Sequence, residues 1–303
     1  MRIAVIGAGA MGSIYGGRLS LKNDVYLVDT STAIIEAVNS GGLVLEEGGK
    51  DNTYHPKAVT TTASLEPVDL VILFVKALYS RAALEGNKNI IGENTYLMTL
   101  QNGSGHEDIL SEFAPLERVI IGTTEDNGAV LAPGHVRHGG NGNTNVGMLV
   151  PDAENFLPKL KECFDACGFN VRIHSNISQL IWNKLFVNVA LSAVTGLLKC
   201  EIGYVYADKN AFALTKALLH EAVTVAHALG LEADESKITD EIIGVCENSP
   251  HGITSICADL RAGRKTEVAT ISGSVVKAAS KCGVKVPCHE FVVNMIHAME
   301  NLK

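Results

Sequence analysis

The sequence predicts an α/β chain, with a parallel-sheet domain followed by an all-helical domain. Three observations lead there. Near the N-terminus, four apolar residues at 3–6 run straight into Gly7-x-Gly9-x-x-Gly12. Comparable apolar runs recur at 67–75, 95–100 and 118–122, with helix-like stretches between them. From Ile177 onward such runs stop, and long apolar helical segments take their place. Near-continuous apolar strands are buried on both faces, which means a parallel sheet covered by helices.

The first element carries the most specific signal. Residues 3–6 predict a buried strand and residues 13–21 a helix, with the glycine turn between them. Strand, tight glycine turn and helix form the entry of a Rossmann-type dinucleotide-binding domain. Gly7 permits the sharp turn, Gly9 lets the backbone approach a pyrophosphate, and Gly12 lets the helix sit close on the strand. Ala8, Ala10 and Met11 complete the loop. The helix N-terminus offers N–H groups and partial positive charge to the phosphates. A second strand at 24–28 ends in Asp29, at about the 20-residue spacing of a ribose-binding acid. A carboxylate there accepts hydrogen bonds from both ribose hydroxyls and repels a 2′-phosphate. No Arg follows in Thr30-Ser31-Thr32, so NAD is favoured and NADP is possible. The competing reading is that Asp29 only caps the next helix.

The remaining elements follow in order. Residues 32–39 predict a helix ended by Ser40-Gly41-Gly42, followed by a short apolar run and a polar hairpin around Glu47-Gly48-Gly49. The later strands end in Lys76, in Gln101-Asn102-Gly103 and before residues 123–127. Right-handed crossovers put these carboxyl ends on the edge that carries the glycine loop. Residues 134–147 predict a glycine-rich β-hairpin, and a helix at 154–166 with a strand at 170–173 closes the first domain. The expected boundary lies near His174, giving a dinucleotide-binding domain at 1–174 and a helical domain at 175–303. Helices are expected at 179–198, 209–230, near Asp240, at 251–262 and at 267–282.

Composition narrows the function classes. The 303 residues are 47% hydrophobic and 19% charged, which fits an ordinary globular protein. A net charge of −8 argues against nucleic acid as a partner. No charged leader with an apolar core opens the chain, and no apolar stretch is expected to approach the ~20 residues of a membrane span. A cytoplasmic protein with no membrane partner is expected. The seven cysteines include no C-x-x-C spacing and predict reduced thiols. No metal is expected.

The helical domain holds the candidate chemistry. Lys184 and Asn188 fall one helical turn apart on one face, with Ser192 a turn further. Polar groups inside an apolar helix need partners, unless the stripe is simply solvated. A Lys desolvated in a cleft can act as a general acid near neutral pH. A second cluster runs from His251 to Glu267, with a helix interrupted by Ala262-Gly263-Arg264. Ser255 is suited to binding a carboxylate through its hydroxyl, and Glu267 in a first turn complements the helix dipole, as a helix-capping residue would.

Together these residues resemble the ketopantoate reductase (2-dehydropantoate 2-reductase) family over essentially the whole chain. The matching pieces are Gly7-Ala8-Gly9-Ala10-Met11-Gly12, Val75-Lys76-Ala77, Leu100-Gln101-Asn102-Gly103, Gly122-Thr123-Thr124, Pro133-Gly134-x-Val136-x-His138, Trp182-x-Lys184-Leu185-x-x-Asn188, and Thr254-Ser255 through Asp259 and Ala262-Gly263-Arg264 to Thr266-Glu267. The resemblance implies that Lys184 is the general acid that protonates the ketone oxygen as hydride arrives. It implies that Asn188 hydrogen-bonds the substrate, Ser255 contacts its carboxylate, and Glu267 is an active-site acid near the lysine and cofactor. Lys76, Asn102 and Thr124 would line the cofactor.

The chain departs from the family pattern in places. Ser192 stands where a second substrate-facing Asn is usual, and Gly252 where an Asn precedes the serine by three. Ser272-Gly273 replaces Asn-Gly, and Asp29 replaces a basic residue typical of NADPH users. Three readings follow. The first is reduction of ketopantoate to pantoate in pantothenate biosynthesis. The second is an NAD-dependent D-2-hydroxyacid dehydrogenase acting on branched or aromatic 2-oxo acids. The third is a non-catalytic dinucleotide sensor, for which intact Lys184, Asn188, Ser255 and Glu267 would be superfluous. The apolar helices suggest a homodimer.

Overall fold

The structure is a computed structural model that describes residues 1–302. It divides into two compact units: Met1–Gln101 with His106–Ile177, and Asn102–Gly105 with the chain from Ser178 on. The division falls three residues beyond the boundary expected at His174. It also groups four residues of the first sequence half with the helical unit.

The first unit is built on an eight-stranded sheet. In chain order it uses β1 (Arg2–Ile6), β2 (Asp24–Val28), β5 (Lys57–Val59), β6 (Leu70–Leu73), β7 (Tyr96–Thr99), β8 (Val119–Thr124), β11 (Asn143–Gly147) and β12 (Asn170–Ile173). Across the sheet the order is β12-β11-β8-β7-β6-β1-β2-β5. Every neighbouring pair is parallel except β8 with β11. The apolar runs are buried as their pattern requires, with Ile3, Ala4 and Val5 fully inside. Register pairs Ile6 with both Val28 and Leu73, so β1, β2 and β6 end side by side. Gly7, Asp29 and Phe74 therefore emerge together on one edge.

Helix α1 (Ala10–Leu19) follows the glycine turn, and seven of its ten residues are buried. A small second sheet explains this. Its order is β4-β3-β10-β9, built from β3 (Leu43–Glu47), β4 (Lys50–Tyr54), β9 (Gly128–Ala132) and β10 (His135–His138). The Gly16 side of α1 faces Val5 and Leu27 of the large sheet, and the Gly17 side faces Leu43 and Leu45 of the small one. Helices α2 (Thr32–Gly41), α3 (Ser80–Gly86), α4 (Glu107–Leu110) and α5 (Phe156–Asp165) complete the unit.

The hairpin expected over 134–147 does not form. Pro133-Gly134 is the turn of a different hairpin, β9 to β10, with Gly134 at φ +71°. Residues 143–147 instead join the large sheet, where Thr144 and Val146 are fully buried beside β8.

The second unit is helical: α6 (Ile177–Leu198), α7 (Ile202–Ala207), α8 (Lys209–Ala228), α9 (Glu235–Asn248), α10 (Ser255–Arg261), α11 (Ser272–Cys282) and α12 (Pro287–Glu300). Asp208 caps α8 by accepting from the amides of Asn210 and Ala211 at 2.9 Å, and Asp234 caps α9 in the same way. Helix α6, at 22 residues and mean hydropathy 1.4, meets the length and composition of a membrane span. That overturns the expectation that no stretch approaches such a length, which looked only for unbroken apolar runs. Two thirds of its apolar window (67%) is buried inside the protein, as in a core helix. Two further differences concern helix limits. Helix α12 was not anticipated, although Pro287 at its first position is a start signal. Glu267 lies in a turn ahead of α11 rather than in that helix's first turn.

Candidate active site

The glycine loop has the geometry its sequence promised. Gly7 adopts φ +101°, and a Cβ there would lie 2.8 Å from the backbone of Phe74 and Val75. A Cβ on Gly12 would strike the Gly7 carbonyl oxygen at 1.7 Å, so helix and strand meet only because position 12 is glycine. On Gly9 a Cβ would meet nothing within 4 Å and would project into the space above the loop. Helix α1 has no side-chain cap and no acidic residue in its first turn, which leaves its positive end for an anion. These features fit a dinucleotide pyrophosphate.

Asp29 is partly buried at the end of β2. Its Oδ2 accepts from the Ala8 amide at 2.7 Å and its Oδ1 from the Ser31 amide at 2.9 Å. The carboxylate thus ties the loop to the start of α2, and each oxygen retains a lone pair for a ribose hydroxyl. Lys76 is partly buried just past β6, at the entrance of a short 3₁₀ turn. Asn102 belongs to the helical unit, in a segment tied to the turn that carries Glu267: Ser104 N donates to Thr270 O at 3.1 Å. Gly103 at φ +98° packs there, where any Cβ would lie 2.0 Å from that same oxygen.

Thr124 is buried and serves an internal network rather than an open surface. The Tyr15 hydroxyl donates to Thr124 Oγ1 at 3.0 Å and lies 2.6 Å from Thr144 Oγ1. Thr124 Oγ1 donates to Asp126 Oδ2 at 3.1 Å, and Asp126 Oδ1 faces His138 Nε2 at 2.9 Å. The other His138 nitrogen faces Glu47 Oε1 at 3.4 Å, and Glu47 also binds Arg18 and Tyr54. Burial pushes the Tyr15 phenol well up. Burial also acts to raise Asp126 and Glu47, but hydrogen bonds from His138, and from Tyr54 and Arg18, hold each carboxyl below its usual range. Sequence reading missed this network because its members lie far apart in the chain.

In the helical unit the polar stripe of α6 is continuous. Lys184 is exposed, so its helix neighbours do not supply the desolvation expected of it. Asn188 is partly buried, and Ser192, 2% exposed, donates its hydroxyl to Asn188 Oδ1. Ser192 thus supports Asn188 through its amide oxygen. One turn on, the buried Thr195 hydroxyl lies 2.7 Å from Thr254 Oγ1. Thr254 caps α10, whose first residue is the exposed Ser255. Two hydroxyl contacts, Ser192 to Asn188 and Thr195 to Thr254, thus stand along this face of α6. Glu267 is partly buried, and its carbonyl accepts from the amides of Thr270 and Ile271. Glu46, Asp51 and His135 of the small sheet bring ligand-type atoms within 4.8 Å of one another, a grouping the sequence reading did not anticipate, and Arg137 already pairs with Glu46.

The comparisons with known proteins bear on this arrangement. Residues 3–151 match the family described as ketopantoate reductase PanE/ApbA, and residues 176–300 match its C-terminal family. The chain belongs to the ketopantoate reductase family. A 2-dehydropantoate 2-reductase from Streptococcus pyogenes is 30% identical over 302 residues, spanning 99% of this chain and 98% of that one. Among solved structures, D-mandelate dehydrogenase with NADH and anilino(oxo)acetate is similar with a TM-score of 0.89 at 28% identity, covering 99% and 98% of the two chains. A PanE/ApbA family ketopantoate reductase from Ralstonia eutropha is similar with a TM-score of 0.89 at 25% identity, covering 99% of each. Membership in the ketopantoate reductase family accounts for the α/β unit followed by a helical one.

Proposed function

We propose that the protein is an oxidoreductase that reduces the C2 ketone of a 2-oxo acid to the D-2-hydroxy acid, ketopantoate to pantoate being the leading reaction. Bound at the glycine loop, a nicotinamide dinucleotide supplies the hydride. Gly7 to Gly12 hold the pyrophosphate, Asp29 takes the adenosine ribose and selects NAD over NADP, and Lys76 and Asn102 line the remainder. Lys184 gives its proton to the ketone oxygen as charge develops there, a general-acid role typically contributing about 10²–10⁴-fold. Asn188, steadied by Ser192, donates to the substrate, Ser255 takes the carboxylate, and Glu267 acts beside the lysine. Thr124 supports the sheet edge from below.

The observation that carries this reading is the α6 face on which Lys184, Asn188 and Ser192 stand one helical turn apart, with Ser192 bonded to Asn188 and Thr195 to Thr254, the cap of the helix that Ser255 opens. The deciding assay measures NADH and NADPH oxidation with ketopantoate and with a panel of branched and aromatic 2-oxo acids. Oxidation with none of them would remove the reading and favour a sensor.

A second reading, a D-2-hydroxyacid dehydrogenase, is favoured by one detail. A Cβ at Gly252 would lie 2.9 Å from Ile202 Cδ1 and 3.0 Å from Ser249 O. With glycine in place and a side chain there crowding Ile202 and Ser249, this position supplies no polar side chain to grip the substrate. The similarity to D-mandelate dehydrogenase supports the same direction. The protein is further proposed to work in the cytoplasm as a homodimer. Exposed Leu214 and Phe291 rim an apolar groove floored by Val194, Leu218 and Val292, which supports a dimer and is tested by light scattering.

A further inference from the structure

Glu300 ends α12, 33 residues after Glu267 in sequence, and its side chain is only 3% exposed. Two influences oppose a carboxylate there. Burial removes its hydration, and the C-terminal end of a helix is the negative end of the dipole. What offsets them is a set of donors. Glu300 Oε1 accepts from the Thr266 amide at 2.8 Å and from the Thr266 hydroxyl at 2.6 Å. Glu300 Oε2 faces His297 Nδ1 at 3.0 Å and Lys265 Nζ at 3.7 Å. Hydrogen bonds to a charged acceptor are the stronger kind.

The consequence falls on the next residue. Thr266 is itself buried, and its Oγ1 also accepts from the Val268 amide at 3.2 Å. The residues on both sides of Glu267 are thereby held through one carboxylate. Upstream, Arg264 is fixed to Asp259 by its amide and its guanidinium, both at 2.8 Å. Downstream, the Glu267 carbonyl holds Thr270 and Ile271 at 3.1 Å. We propose that Glu300 is a positioning residue: through Thr266 it sets the placement of Glu267 for 2-oxo acid reduction. The inference rests on the proposed role of Glu267.

The test compares Glu300→Ala, Glu300→Gln, Thr266→Val, Glu267→Gln and the double variant Glu267→Gln with Glu300→Ala. Each is assayed for kcat and KM with NADH and the best 2-oxo acid, for NADH affinity by fluorescence, and for folding by circular dichroism. A misplacement of about 1 Å can cost ~100-fold, so Glu300→Ala is expected to lower kcat by roughly 10- to 100-fold with NADH affinity retained. Glu300→Gln keeps an oxygen for Thr266 and recovers most of that loss. The double variant is no slower than Glu267→Gln alone, because both act through one group. If Glu300→Ala does not fold, Thr266→Val decides, and it is expected to lower kcat in the same direction by less. An impaired Glu267→Gln beside a folded Glu300→Ala of wild-type kcat overturns this inference alone, as do additive losses in the double variant. A Glu267→Gln that reduces 2-oxo acids like wild type overturns the role of Glu267 and this inference with it.

Discussion

Asp29 Oδ2 accepts the Ala8 amide hydrogen at 2.7 Å, so the acid at the end of β2 is part of the glycine loop's own scaffold. The helix-start reading of Asp29 from sequence has a structural counterpart in its bond to Ser31, and the ribose-binding reading is the proposed one. Asp29 steadies the start of α2 through Ser31, and the proposed function assigns it the ribose. Asp29→Asn keeps an acceptor for Ala8 and removes the charge that repels a 2′-phosphate. Hydrogen bonds to a charged group are worth about 1.5–3 kcal/mol, so the NADH-over-NADPH ratio of kcat/KM should fall roughly 10- to 100-fold. Asp29→Ala should weaken both cofactors, because the loop loses its tether. A wild-type enzyme that prefers NADPH would contradict the assignment.

Lys184 tests the chemistry apart from cofactor binding. Lys184→Ala should lower kcat by about 10²–10⁴-fold, the ordinary worth of a general acid. NADH affinity, read by fluorescence titration, should be unchanged, because the proposed cofactor contacts, Gly7 to Gly12 with Asp29, Lys76 and Asn102, do not include Lys184. Equal kcat in variant and wild type would remove Lys184 from the mechanism.

How much of this could be read from sequence depended on how local each feature is. The glycine turn, β1, β2 and Asp29 are set by neighbours within one strand–turn–helix unit, and they were legible. The Lys184–Asn188 spacing was legible because a single helix fixes it. Residues 134–147 were misread because the partner of β11 is β8, chosen by burial of Thr144 and Val146 and not by the nearby turn. The bond that the Tyr15 hydroxyl gives to Thr124, 109 residues away, has no local sequence signal. Ser192 stands where a substrate-facing Asn is usual, and only the packed helix shows its hydroxyl bonded to Asn188. Glu300 carried no sequence signal, since its partner Thr266 is 34 residues distant.

Ser192 offers a test of that support. Ser192→Ala removes the donor to Asn188 Oδ1 and leaves the amide free to rotate. A neutral hydrogen bond contributes about 0.5–1.5 kcal/mol net, so KM for the 2-oxo acid should rise roughly 2- to 12-fold with kcat little changed. Steady-state kinetics with saturating NADH checks it. A fall in kcat with constant KM would mean that Ser192 acts on the reacting carbonyl instead.

The buried carboxylates make a prediction about acid stability. In Glu47, Asp126 and Glu300 burial acts to raise the pKa, but hydrogen bonds more than offset it, so each folded-state value lies below the ordinary 4.5 of Glu or 3.8 of Asp. The donors differ: Tyr54 and Arg18 for Glu47, His138 for Asp126, and Thr266 with His297 for Glu300. A depressed carboxyl binds fewer protons folded than unfolded, so its stabilisation is fully present above the unfolded pKa. It is lost as pH falls through the folded one. The melting temperature should therefore hold near neutral pH and drop progressively below about pH 5. Asp126→Asn cannot gain a proton at this site, so its melting temperature should be lower at pH 7 and fall less steeply on acidification. A wild-type melting temperature that stays level from pH 6 to about pH 3 would show that these three groups are not depressed.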